Sequence, residues 1–264
     1  KRREDIEIAG FIASCFAYGK VGLFKPVIEK ILSAMRGRSG RLARTQADSP
    51  RRAEESSPYN FLMEFKAKKD GRLFSGINYR FNENKDIVCL LHIISHLLRS
   101  HKSIENVFKS FYKKTDSDTG KALTGFIDYA LKTDTSDIYG KNLKPGGLLQ
   151  FFPSPSKGSA CKRMNLFLRW MIRDKDIDFG VWKGIPENKL IIPLDTHIAR
   201  ISRCLGFTKR KSQDWKMAVE ITNALKKLDS GDPLKYDFAM CHYGISGLCG
   251  PKKGDGNCAD CLLK

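Results

Sequence analysis

No apolar run in the 264 residues approaches the roughly 20 needed to cross a bilayer, and nothing at the start resembles a signal peptide. Neither a membrane protein nor a secreted one is expected. Strict apolar–polar alternation is also missing, which argues against a sheet and leaves an all-α fold. Acidic residues are scarce: 29 Asp and Glu stand against 47 Lys and Arg, a formal charge of +18. Such an excess calls for an anionic counter-surface, and without a membrane segment that surface is expected to be nucleic acid. No oligomer signal stands out, so a monomer is expected, in the cytoplasm and close to the nucleoid of a bacterial or archaeal cell.

What is present is helical periodicity. Segment 5–18 is apolar on nearly every side (Ile6, Ile8, Phe11, Ile12, Cys15, Phe16), the pattern of a helix buried in a bundle. Phe24, Val27, Ile28, Ile31, Leu32 and Met35 then recur at helical spacing, with Gly37 as the expected stop. Residues 37–57 lack apolar periodicity and are rich in Arg, Ser and Gly, which predicts a mobile basic loop. Pro58 suits a first turn, Asp86 is expected to cap the Ile87, Leu90, Leu91, Ile94, Leu97 and Leu98 stripe, and Ser103 the following helix. After a Pro/Gly/Ser-rich passage, helices are expected near 160–173, 195–205 and 214–228.

The helix after that passage has two faces. Met164, Phe167, Leu168 and Met171 form an apolar one, while Lys162, Asn165, Arg169 and Arg173 descend another, suited to DNA or to acidic side chains. The turn before it, SPSKGSACKR, has the small residues and glycine that let backbone N–H groups approach an anion, as helix N-termini do for phosphate. Downstream, Asp195 opens a helix that turns Ile198, Ile201 and Leu205 to a core, and an N-cap is the commonest role for such an aspartate.

These two segments resemble the helix-hairpin-helix DNA glycosylases of the endonuclease III superfamily. Gly158-Ser159-Ala160-Cys161-Lys162 is similar to the family's hairpin Gly-x-Gly-x-Lys, with Ala160 at the second glycine, and Leu194-Asp195-Thr196-His197 to its V-D-T-H. The residues after Lys162 (Arg163, Met164, Asn165, Leu166) and the EIAGFIASCFAYG segment also look like the family, and an insertion, DKDIDFGVWKGIPENK, lengthens the path from Lys162 to Asp195. The resemblance implies a two-lobed fold: a helical barrel over 1–190 with the hairpin near 153–173, and a C-terminal lobe over 191–264 with Asp195 and a cysteine-rich end. It implies Lys162 and Asp195 as a catalytic pair, and Lys157, Gly158, Ser159, Ala160, Arg163, Asn165 and Arg169 as DNA contacts on a damaged duplex. Lys157 is the fallback nucleophile, and His197 is expected to pack rather than act as the base.

The chemistry accounts for the pairing. Breaking an N-glycosidic bond builds positive charge on the sugar, which a carboxylate can stabilise, and an unprotonated lysine can attack C1′ to form a Schiff base, opening the way to AP-lyase strand cleavage. The alternatives are a non-catalytic DNA- or RNA-binding protein on the same scaffold, or a regulator whose cysteines sense oxidation or iron.

Cys15, Cys89, Cys161 and Cys204 lie singly in apolar or helical segments, as buried free thiols do. Cys241, Cys249, Cys258 and Cys261 crowd the end and, in a cytosolic setting, favour metal over disulfides. Their spacing fits tetrahedral zinc or a 4Fe-4S cluster, with Cys241 either a ligand or a buried thiol. The resemblance implies the cluster, although the order of the cysteines differs from the family's. Trp170, Trp182 and Trp215 are expected in the core.

Overall fold

The computed structural model describes residues 2–41 and 57–246, and among these every regular element is a helix. The chain folds as two compact units that interleave in sequence: Lys1–Lys113 with Gly125–Phe152, and Lys114–Thr124 with Pro153–Lys264. The boundary expected near 190 is not where the units part. Ile191, Ile192 and Leu194, on the stretch expected to join two lobes, are buried in the core of the second unit, so the hairpin segment and Asp195 belong to one body.

In the first unit, α1 (Arg3–Phe16) buries Ile8, Phe11, Ile12, Cys15 and Phe16. Helix α2 (Val21–Arg41) runs four residues past Gly37, a glycine it tolerates in place of the expected stop; residues 42–56 of the expected loop lie outside those described. Ser57 caps α3 (Pro58–Glu64) by accepting the Asn60 N–H at 3.3 Å, with Pro58 at the first helical position. Helix α4 (Asn84–His101) is the central element, its expected stripe fully buried. Each such Leu or Ile contributes about 1.5–3 kcal/mol through removal from water. Asp86 lies inside the first turn of α4 rather than at its cap, accepting the Glu83 N–H at 2.9 Å and the Tyr139 hydroxyl at 2.7 Å. Helix α5 (Ile104–Phe111) is capped twice: Ser103 accepts from Asn106 N–H at 3.0 Å, and buried Glu7 accepts the N–H groups of Ile104 at 2.9 Å and Glu105 at 2.8 Å.

The second unit contains α7 (Lys162–Ile172), α8 (Thr196–Cys204), α9 (Trp215–Leu228) and α10 (Asp237–Ile245); α6 (Gly120–Ala130) begins in it and ends in the first. Its core joins Ile198, Ala199 and Ile201 of α8 to Met217, Ala218, Ile221 and Leu225 of α9 and Met240 of α10. Thr222 ties the 191–194 segment to this core, its hydroxyl accepting the Ile192 N–H at 3.0 Å and donating to Ala218 O at 2.7 Å. The apolar face of α7 is buried as expected, and Phe167 meets Trp182 edge to face at 5.3 Å. Trp182 is a core residue; Trp170 and Trp215 are half-buried.

Candidate active site

The hairpin segment is a tight turn. A single 3-10 turn, Pro155–Lys157, ends on Gly158 in the left-handed region at φ +78°, and α7 starts at Lys162 after Cys161, itself left-handed at φ +51°. The buried Cys161 thiol donates to the carbonyls of Pro153 and Ser159, each at 3.2 Å, and burial pushes it up to about 12, so it packs as a neutral thiol. No side chain caps α7. The hairpin abuts the start of α9: Trp215 N–H donates to Gly158 O at 3.1 Å, and Ser159 pairs with Asp214 in an isolated bridge. Lys157 and Gly158 are exposed, and Ser159, Ala160 and Arg163 half-buried.

Lys162 stands at the first position of α7, and its Nζ lies 3.0 Å from Asp195 Oδ2. Asp195 is the N-cap of α8, as its sequence position suggests, with Oδ1 accepting the N–H groups of His197 and Ile198, each at 2.9 Å. The two oxygens therefore have separate tasks: one is fixed by the helix, and the other faces the lysine. Lys162 keeps 40% of its side-chain surface exposed against 14% for Asp195, so a ligand from solvent reaches the amine first. His197 packs against α10, where a Cβ on Gly244 would come within 2.7 Å of His197 Cβ. This close approach fits the packing role expected of the histidine.

Two residues expected to contact DNA are turned inward. Arg169 is 4% exposed; its Nε donates to Asp178 Oδ1 at 3.1 Å and its Nη1 to Asp237. Asn165 is 1% exposed and supports the turn from below, donating from Nδ2 to Ala160 O at 3.2 Å. Arg173, on the same face, donates to Asp178, to Asp176 at 3.0 Å and to both oxygens of Asp232 at 2.9 Å. The reason is the acidic residues around them: Asp176 and Asp178 of the 174–189 segment, together with Asp232 and Asp237, neutralise the guanidinium groups.

Sequence reasoning did not single out Asp178 or Asp237. Burial pushes the Asp237 carboxyl up to about 6, against the pull of the Arg169 guanidinium and with a push from Asp195. Its only sequence signal was an aspartate ahead of the apolar run FAM, which reads as an ordinary helix start.

A family model described as "Protein of unknown function (DUF2400)" matches residues 1–246, most of the sequence and all of the residues above. The chain belongs to the DUF2400 family. No curated protein and no solved structure matches it.

The DUF2400 match ends before Cys249, Cys258 and Cys261, which also lie outside the described residues. Cys241, the remaining cysteine of the expected metal set, lies on α10 with its Sγ 3.9 Å from Asp195 Oδ2. Burial, with the carboxylates of Asp195 and Asp237 nearby, pushes the thiol up to about 11. Among the described residues no group of three or more His, Cys, Asp or Glu is arranged to hold a metal ion, and no helix is long and apolar enough to cross a membrane.

Proposed function

We propose that this protein is a DNA repair glycosylase that excises a damaged base and cleaves the strand as an AP lyase through a Schiff base on Lys162. The observation that carries the reading is the 3.0 Å approach of Lys162 Nζ to Asp195 Oδ2, with Oδ1 of the same carboxylate fixed by the start of α8. Asp195 stabilises the cationic sugar as the N-glycosidic bond breaks, and Oδ2 is the acceptor already in place for a proton from the amine. The lysine nitrogen forms the bond to C1′; the base leaves with the electron pair of the broken bond and takes up a proton. The remaining amine proton passes to the ring oxygen as the C1′–O4′ bond opens to the Schiff base, and removal of a C2′ proton then drives the β-elimination that expels the 3′ phosphate. The base is turned out of the duplex to reach the pair. Lys157, Gly158, Ser159, Ala160 and Arg163 hold the phosphate backbone at the hairpin.

The terminal cysteines are assigned to a structural iron-sulfur cluster, or zinc, which would pin the chain end that carries Lys252 and Lys253. Iron and zinc content of the purified full chain tests this separately from activity.

Borohydride trapping on duplexes carrying oxidised, alkylated, deaminated or abasic sites tests the main reading. A covalent adduct that disappears in Lys162→Ala is expected, together with loss of excision in Asp195→Asn. A lysine and an aspartate closed on each other also suit a scaffold that binds DNA or RNA without chemistry, and in that case no duplex yields an adduct or a free base.

A further inference from the structure

The first unit presents an aromatic and cationic tip that the hairpin chemistry does not use. Tyr79 and Asn82 close a two-residue turn on each other, Tyr79 N–H donating to Asn82 O at 2.9 Å and Asn82 N–H to Tyr79 O at 2.8 Å. The base of the turn is anchored. Asn82 is 1% exposed and donates from Nδ2 to Gly147 O at 2.6 Å, while Tyr18 donates its hydroxyl to Asn82 Oδ1 at 2.5 Å and stacks edge-on against Tyr79 at 4.8 Å. Gly19, left-handed at φ +79°, lets this packing close: a Cβ there would be 2.7 Å from Arg80 Nη1 and 2.9 Å from the Tyr79 hydroxyl.

On this base the two tip residues point outward. Phe81 is 64% exposed, and Arg80 adopts φ +51°, a conformation that favours glycine. The Arg80 guanidinium lies 5.7 Å from the centroids of both the Tyr18 and the Phe81 rings, and it has no acidic partner among the described residues. Burial does not account for an exposed phenylalanine held on a rigid, strained turn, and backbone strain of this kind concentrates at binding sites.

We infer that the Arg80–Phe81 tip binds unpaired nucleotides, Phe81 stacking on a base and Arg80 pairing with the adjoining phosphate. The formal charge of +18 selects an anionic partner, and single strands offer a phosphate and a free base face within one nucleotide. An intact duplex hides the base faces, so the tip discriminates by strand state rather than by sequence. The inference does not depend on the reaction proposed for Lys162.

The test is fluorescence anisotropy of the full chain with a labelled mixed-sequence 12-nucleotide DNA strand and with the matching duplex, at one fixed salt concentration. Phe81→Ala is expected to weaken single-strand binding about tenfold or more, with duplex binding unchanged, and Phe81→Tyr to retain it. Arg80→Ala is expected to lower the salt slope by about one counterion. Both side chains are exposed, and unchanged circular dichroism of each variant confirms folding. The readout is strand binding and not base release, which separates this inference from the catalytic one. Absence of single-strand binding, an unchanged Kd in Phe81→Ala, or equal losses on strand and duplex would overturn it; a tip that serves a protein partner instead gives the second result.

Discussion

Asp178 accepts from Nε of Arg169 with one carboxylate oxygen and from Nη1 of Arg173 with the other, joining an arginine of α7 to the residue that follows the helix. Removing it takes one carboxylate from each of two guanidinium groups that are 5% and 2% exposed at their side chains, leaving Arg169 on Asp237 and Arg173 on Asp176 and Asp232. Loss of one partner of a buried pair costs about 3–5 kcal/mol. Asp178→Ala is therefore expected to lose stability on that scale in urea unfolding, and a loss below about 1 kcal/mol would mean that water reaches the arginines.

Asp195 allows cap and charge to be separated. Asparagine caps as well as aspartate does, so Asp195→Asn should keep the His197 and Ile198 hydrogen bonds and unfold near the parent midpoint while the proposed base excision is lost. Asp195→Ala should lose excision and also about 1 kcal/mol of stability.

Asp237 predicts a pH dependence. Its folded value of about 6 lies above the ordinary carboxylate value of 3.8, so the folded state holds a proton that the unfolded chain has released between those limits. The stabilisation is complete below pH 3.8 and is lost as the pH rises through 6. Asparagine stays neutral, so Asp237→Asn should gain relative to the parent, on the order of 2 kcal/mol, between pH 4 and pH 7. Urea midpoints of both proteins at the two pH values check the sign.

Gly158 has no heavy atom within 4 Å of where a Cβ would stand, so any cost of substitution there comes from the backbone at φ +78°. Gly158→Ala is expected to lose about 1 kcal/mol in thermal unfolding, and Gly158→Asn less, because asparagine tolerates this conformation.

Local signals were legible in the sequence. The stripe of α4, the caps at Ser103 and Asp195, and the apolar face of α7 depend on residues a few positions apart, and periodicity reports those directly. The approach of Lys162 to Asp195 came from the resemblance and not from spacing. The burial of Arg169 was hidden because one of its partners, Asp237, is 68 residues away, and a helix face of Lys, Asn and Arg reads alike whether it meets phosphate or carboxylate. The joining of 114–124 to the second unit was equally hidden, since it depends on backbone bonds such as Thr119 N–H to Lys189 O at 3.0 Å.

That crossing constrains how the chain can be divided. A cut between Phe152 and Pro153, which looks like a natural domain border, separates Lys189 from the carbonyl of Asp116 that its Nζ donates to at 2.6 Å, and from the Thr119 N–H. A ribosome that has released residues 1–152 has delivered every part of the first unit, yet it has also delivered an eleven-residue piece that stays unsatisfied until the remainder emerges. The two units cannot be exchanged as cassettes between proteins, and a fragment library cut at linear borders would fail to recover the second unit whole.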